Sequence, residues 1–474
     1  MASSPDPLPR FAAPLAVVAS ALCWWFASGL QPVWWTAWLA PLPLLWVAPR
    51  MRARSISLAT LLAWTLGGCS QWHYLHDMIR LPLAISVMAV LQPALLMLPV
   101  VLLFRALARR GRTLAAMLSV PLAATSLSWV AAATSPHGTF GNIAYSQMDA
   151  LPVIQIAALT GLWGISFVAW VLPSMLAAVG APAARGRGVA LVAGLGILAL
   201  TLGFGMWRLQ VDLPVQQVRV GLVSIHQAQG AEIDIDKPAG QRVLAEYFNA
   251  FERLAADGAK VIVAPESALL VRSHAIPELA ELAREHRVRV LIGAEDHSDP
   301  TQKHNAALVF TPESTMPFAY YKRHLIPGFE DRYTPGDGER VLSGAPRTGV
   351  AICKDMDFTA IGHAQGVLGT QLLLVPAWDF DDDAWLHGRM AILRGVESGF
   401  AIARSARDGH LTLSDTRGRV LAQASSVGKA NTTTLVGELP LQSIRTLYSR
   451  IGDAFAWLCT LAAIGLGLSL LRKW

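Results

Sequence analysis

The chain has 474 residues, 53% of them hydrophobic, and its 39 Lys and Arg against 33 Asp and Glu leave a net charge of +6. Charged residues make up only 15%, against roughly 25% in a soluble domain, and mean hydropathy is +0.41, so an ordinary soluble protein is excluded. The basic residues are scattered between apolar segments rather than gathered in one patch, which argues against a nucleic-acid partner and for membrane topology.

Apolar runs long enough to cross a bilayer, roughly 17–25 residues each, cover 11–30, 32–48, 56–76, 81–104, 113–133, 153–180, 188–208 and 452–471, the second being the shortest. The first run lacks a small-residue cleavage pattern and more spans follow it, so it reads as a span and not as a removable signal. Charge then orients the runs. Arg10 precedes the first; Arg50, Arg52 and Arg54 follow the second; Arg105, Arg109, Arg110 and Arg112 lie at the fourth connection; Arg185 and Arg187 lie at the sixth; Arg472 and Lys473 follow the last. The alternate connections are nearly free of Lys and Arg, Arg80 excepted. The positive-inside rule puts both termini in the cytoplasm and the long segment before the last run outside it. The expected plan is a bundle of about seven spans over 1–210, an extracytoplasmic α/β domain over 215–445 and a C-terminal span over 452–474.

Within 215–445, nine short β-rich runs alternate with helical ones: "VRVGLVSI", "KVIVAP", "VRVLIGAE", "NAALVF", "GVAIC", "QLLLVPA", "FAIARS", "HLTLSD" and "TTTLVGEL". "AGQRVLAEYFNAFERLAADG" and "WLHGRMAILRGVES" carry helical spacing. Such alternation predicts a layered α/β fold. Of four cysteines, Cys23, Cys69 and Cys459 lie in or beside apolar runs and read as packing residues; Cys353, ending "GVAIC", is the one in the soluble segment. Outside the cytoplasm cysteines usually pair, so a lone one is either a buried hydrophobe or a reactive thiol.

Two stretches favour the reactive reading. "VIVAPES" ends a strand in Glu266, at the position where open α/β sheets bind ligands. "YKRHLIPGFE" is a Pro/Gly-bearing loop with Lys322 and Glu330. A glutamate could take the thiol proton, a lysine could stabilise thiolate and oxyanion, and the Lys354 N–H could be a second oxyanion donor. Taken singly, each has a plainer reading: a helix-start or loop carboxylate, a solvated lysine, an inert thiol.

Glu266, Lys322 and Cys353, in that order and spacing, resemble the Glu–Lys–Cys triad of the nitrilase, or carbon–nitrogen hydrolase, superfamily. Glu330 resembles that family's second, substrate-positioning glutamate. "LAPLPLLW", "GNIAYSQMDALPVIQIAALTGLWGISF" and the single run after the domain resemble the apolipoprotein N-acyltransferase branch. The resemblance implies an α-helical membrane bundle of about eight transmembrane helices plus a nitrilase-like sandwich in the bacterial inner membrane. It also implies an acyl chain passed from a phospholipid, through a Cys353 thioester, to the N-terminal amine of a lipoprotein. No cofactor or metal is implied. The chain departs from the family after the cysteine: Lys354 and Asp355 stand where an aromatic and a glutamate are usual, and "VPAWDFDDDAWLHGRM" replaces a Ser-Asn-Asp-Ala-Trp-Phe segment. With glutamate usual at that position, Asp355→Glu is expected to be tolerated. The departures keep open a membrane-anchored amidase using water as acceptor; a catalytically dead scaffold would not need the triad.

Other motifs read plainly. His73 and His76 in "QWHYLHD" read as a wetted helix end, not a metal pair. "DFDDDAW" lacks the glycine and terminal glutamate of a calcium loop and reads as a solvated acidic loop. "SPHGTFGN" lacks phosphate-loop spacing and resembles the family's periplasmic arm, a lipid-facing loop. Asn305 begins a strand and reads as a turn cap.

Overall fold

A computed structural model describes residues 9–211, 216–227, 230–442 and 444–471; Arg472 and Lys473 lie outside these. The chain forms two compact units. One gathers the chain up to Ser135, Gly141–Gln210 and the chain from Ile451 on; the other gathers Pro136–Phe140 and Val211–Arg450.

The first unit is helical. Among the described residues, four helices are long and apolar enough to cross a membrane: Leu83–Arg109, Thr113–Thr134, Leu162–Val179 and Arg187–Gln210. Ala12–Ala27, Leu151–Thr160 and Ala454–Leu468 are shorter apolar helices, and Ala53–Gly68 adds another helix of 16 residues. The second apolar run is not one helix. It breaks into Trp34–Trp38, Leu42–Val47 and Ala48–Arg50, as expected where Pro41, Pro43 and Pro49 each remove a helical N–H. Gly161, at φ +66°, likewise divides the sixth run ahead of Leu162–Val179. Trp24 stacks between Trp64 and Trp170, at centroid distances of 5.4 and 6.4 Å. Trp129 and Trp163 both donate to the Asp453 carboxylate, at 3.1 and 2.8 Å, which satisfies a charge at the start of the last helix.

The second unit is a two-sheet sandwich. Its strands are β1 (Gln216–Ser224), β2 (Val261–Val263), β3 (Leu269–Val271), β4 (Arg289–Asp296), β5 (His304–Phe310), β6 (Phe318–Tyr321), β7 (Val341–Leu342), β8 (Thr348–Val350), β9 (Leu372–Trp378), β10 (Ala401–Arg407), β11 (His410–Ser414), β12 (Val420–Ser425) and β13 (Thr433–Leu441). One sheet runs β13-β1-β2-β4-β5-β6, with β3 also on β4; the other runs β12-β11-β10-β9-β8-β7. In β9, Leu372 and Leu374 enter the core between the sheets while Leu373 and Val375 face the helical layer outside. Strand side chains alternate between faces, and with both faces covered the strand reads as an unbroken apolar run. Tyr247, Phe251 and Leu254 of Pro238–Ala256 and Leu279 and Leu282 of Pro277–His286 pack on the first sheet. Ile361 of Thr359–Val367 and Ala391 of Ala384–Ser398 pack on the second. The layers are therefore helix, sheet, sheet, helix: the layered α/β fold expected from the alternating pattern, in the sandwich form implied by the nitrilase resemblance.

Candidate active site

Three chain segments carry the site. Glu266 lies in the turn after β2, Lys322 directly follows β6, and Cys353 comes three residues after β8. β2 and β6 belong to one sheet and β8 to the other.

Lys322 is 1% exposed and Glu266 3%. The Lys322 ammonium lies 2.7 Å from Glu266 Oε1 and 2.8 Å from Glu330 Oε2. Asn305 is no turn cap. Its Nδ2 donates to both carboxylates, at 2.6 Å to Glu266 and 2.7 Å to Glu330, and its carbonyl accepts from the Lys322 N–H at 2.8 Å. The Ile326 N–H donates to Glu330 Oε2 at 2.8 Å, while Asn305 holds Oε1. A buried cation thus has two carboxylates, and the amide bridging them keeps them from repelling each other apart. Burial pulls the Lys322 ammonium down, but Glu266, Cys353 and Glu330 outweigh it and hold it above the usual lysine range. Burial raises the Glu266 carboxyl, with Lys322 opposing and Glu330 reinforcing.

Cys353 is 9% exposed and has φ +44°, in the left-handed region that a non-glycine residue occupies only when its surroundings enforce it. It opens a single turn, Cys353–Asp357. Burial, then the charge of Glu266, pushes its thiol well above the ordinary range, while Lys322 pulls it back. The resting group is therefore the thiol, which donates to Trp378 O at 3.6 Å.

Asp355 is fully buried and holds that turn in place. Its carboxylate accepts from the Ile352 N–H at 3.0 Å, Tyr320 Oη at 2.9 Å, and the N–H groups of Arg323 and His324 at 3.1 and 2.9 Å. Asp355 thereby ties the loop after Lys322 to the turn after Cys353. Its oxygens are committed to these donors rather than turned to a ligand. The Lys354 side chain is buried too, with Nζ 3.0 Å from His137 Nδ1 and 3.8 Å from Asp357.

The "DFDDDAW" loop departs from the solvated reading. Asp381 and Asp382 are exposed, but Asp379 and Asp383 are 1% and 0% exposed. Arg404 spans Asp379 with bonds of 2.9 and 2.5 Å. Asp379, Asp383 and His387 place donor atoms within 4.8 Å of one another, the geometry of a metal site. Burial lowers His387, but Asp383, Asp357 and Asp379 outweigh it and raise it to about 9. It is thus a cation at neutral pH, and with Arg404 it balances the carboxylates as an ion-pair cluster. His73, 71% exposed at its side chain, pairs with Asp77.

A buried thiol, two carboxylates and a fixed ammonium thus come together in a four-layer sandwich. Residues 220–448 match the family described as carbon-nitrogen hydrolase. Residues 20–175 match the apolipoprotein N-acyltransferase N-terminal domain. A relative named apolipoprotein N-acyltransferase, from Geobacter metallireducens, is 26% identical over 94% of this chain and 92% of its own. The omega-amidase NIT2 of Pongo abelii is 29% identical over 34% of this chain and 66% of its own. An amidase structure from Nesterenkonia sp. aligns with a TM-score of 0.41 at 20% identity, covering 49% of this chain and 93% of that one. The chain is thus similar to apolipoprotein N-acyltransferases along nearly its whole length.

Proposed function

We propose that this chain is an N-acyltransferase that moves a fatty acyl chain from a phospholipid, through a Cys353 thioester, to the N-terminal amine of a lipoprotein. The observation that supports it is the occurrence, in one chain, of the N-acyltransferase helical domain over 20–175 and the buried Glu266–Lys322–Cys353 constellation. Glu266 takes the Cys353 proton as the sulfur attacks the ester carbonyl. The resulting oxyanion is stabilised by Lys322 and the Lys354 N–H. Collapse breaks the ester C–O bond, Glu266 returns the proton to the departing lysophospholipid oxygen, and a thioester remains. In the second half, the acceptor amine attacks the thioester carbonyl, Glu266 takes the amine proton, and the Cys353 sulfur leaves and is reprotonated. Glu330 and Asn305 position Lys322, and Asp355 positions the turn.

The second unit lies outside the cytoplasm in this reading. Arg10 and Arg50–Arg54 share a side only if an even number of crossings separates them. In this arrangement Ala12–Ala27 is one crossing and the proline-broken run to Arg50 its return leg, which would give eight.

The test is a single-turnover assay of the purified protein with a fluorescent phospholipid, with and without a diacylated lipopeptide, read by intact mass. One acyl mass on Cys353, discharged only when lipopeptide is added, is expected; Cys353→Ala and Cys353→Ser carry none. Discharge at the same rate without lipopeptide would make water the acceptor and the protein an amidase-type hydrolase.

A further inference from the structure

In sequence, Pro136–Phe140 sits between the apolar helix Thr113–Thr134 and the short turn Ile143–Gln147. In the fold it packs with the second unit. Its contacts converge on the nucleophile's own turn. Lys354 Nζ donates to His137 Nδ1 at 3.0 Å. Partial burial and the Lys354 charge push His137 down to about 4, so it is neutral at pH 7 and able to accept. Thr139 donates twice to the Asp357 carbonyl, from N at 2.9 Å and from Oγ1 at 2.6 Å. Gly138 has φ +52°, and a Cβ there would stand 2.6 Å from that same carbonyl. The backbone approach thus requires glycine. Phe140 packs its ring 5.5 Å from that of His387.

The two ends of the Cys353–Asp357 turn are held differently. Asp355 ties it inward to Ile352, Tyr320 and the loop after Lys322. Its far end, and the Lys354 side chain, are held by His137 and Thr139. A turn that carries its nucleophile at φ +44° keeps that conformation only if neighbours over-determine it. Lys354 needs the tether as well. Burial lowers its ammonium, whose nearest carboxylate, Asp357, is 3.8 Å away, and Lys322, Cys353 and Glu330 act on it too. Without His137 as acceptor, that buried ammonium loses its 3.0 Å hydrogen bond.

We propose that Pro136–Phe140 is a positioning clamp on the nucleophile turn, with His137 holding Lys354 and Thr139 holding Asp357, and that acyl transfer in this chain depends on both contacts. The inference rests on Cys353 being the nucleophile but not on the identity of the acceptor. A displacement of about 1 Å at reacting atoms can cost 10²-fold.

The experiment measures acyl-enzyme formation by the full-length protein over a range of fluorescent phospholipid concentrations. His137→Ala and Thr139→Val are expected to lower the limiting rate roughly tenfold or more, with the half-saturating phospholipid concentration unchanged. His137→Gln, which keeps an acceptor, and Thr139→Ser, which keeps the hydroxyl, are expected to recover most of the rate. Lys354→Met combined with His137→Ala should be no slower than the slower single variant. A wild-type rate in either His137→Ala or Thr139→Val overturns the clamp, as do conservative variants no better than the disruptive ones. A change confined to half-saturation overturns it in favour of a lipid-binding loop. Should Thr139→Val not be recovered folded, the His137→Ala and His137→Gln pair decides by the same criteria. A wild-type protein that forms no acyl-enzyme fails the proposed function instead, so the two failures are distinct.

Discussion

At the scale of single residues, the site is governed by where protons and charges can go. Glu266 and Glu330 both touch Lys322, at 2.7 and 2.8 Å, yet only Glu266 is assigned to carry protons. Glu266→Gln is therefore expected to slow acyl-enzyme formation by about 10²–10⁴-fold, and Glu330→Gln by less, through a displaced Lys322. Equal rates for Glu266→Gln and wild type in the single-turnover assay would remove Glu266 as the base. Burial holds the Glu266 carboxyl above its ordinary range, and the base works only when deprotonated. The acid limb of the rate profile should accordingly fall at a higher pH than that of a surface glutamate, about 4.3. Asp355 calls for a revision. A glutamate there adds a methylene to a site with 0% exposure, at an overpacking cost of about 1–3 kcal/mol, while alanine leaves buried donors unpaired at about 1–3 kcal/mol. Both Asp355→Glu and Asp355→Ala should slow formation and discharge of the thioester alike, alanine more severely. Wild-type speed in both steps for Asp355→Glu would show that the turn has room after all.

At the scale of elements, strand packing sets the aim of the proposed catalytic groups. Gly293 in β4 would place a Cβ 2.3 Å from Pro265 O and 2.6 Å from Glu266 Cα. Gly293→Ala should push the Glu266 turn aside and lower acyl-enzyme formation by about 10²-fold with unchanged circular dichroism; an unchanged rate would mean that the turn relaxes at no cost to Glu266. Helix Ala384–Ser398 contributes a pH dependence through His387. Its folded value of about 9 stands above the ordinary value near 6.5, so its contribution to stability is full below pH 6.5 and is lost as pH rises through 9. Thermal unfolding in detergent should show the midpoint falling over that window, and His387→Gln should lower it at pH 6.5 and flatten the fall. A slope unchanged in His387→Gln would assign the dependence elsewhere. The nine predicted strands all appear because buried β-rich runs mark themselves in sequence, although "GVAIC" stops as a strand at Val350, before the cysteine. β3, β6, β7 and β12 were not legible: the first three have only two to four residues, and β12 lies half open, so its sequence carries no core pattern. Pro277–His286 was missed because five of its ten residues are charged or polar and only a narrow stripe is buried.

At the scale of the whole molecule, the basic connections predict sidedness. A reporter active only outside the cytoplasm should work when fused after Gln216 and stay silent after Gly186; the opposite pattern would overturn the eight-crossing arrangement. By itself the sequence determined the membrane character, the strand-rich soluble segment and the residue types of the site, because hydropathy and charge are summed along the chain and a strand-end thiol, glutamate and lysine keep their local signatures. Only the tertiary structure decided how those groups are satisfied. Asn305 became the bridge between Glu266 and Glu330, 39 and 25 residues away. Asp379 met Arg404 across the β9–β10 pairing, and Thr139 reached Asp357 across 218 residues. A buried polar group must find its partner or forfeit its hydration. Which partner it finds depends on which strands and turns pack together, information that no local stretch of the chain contains.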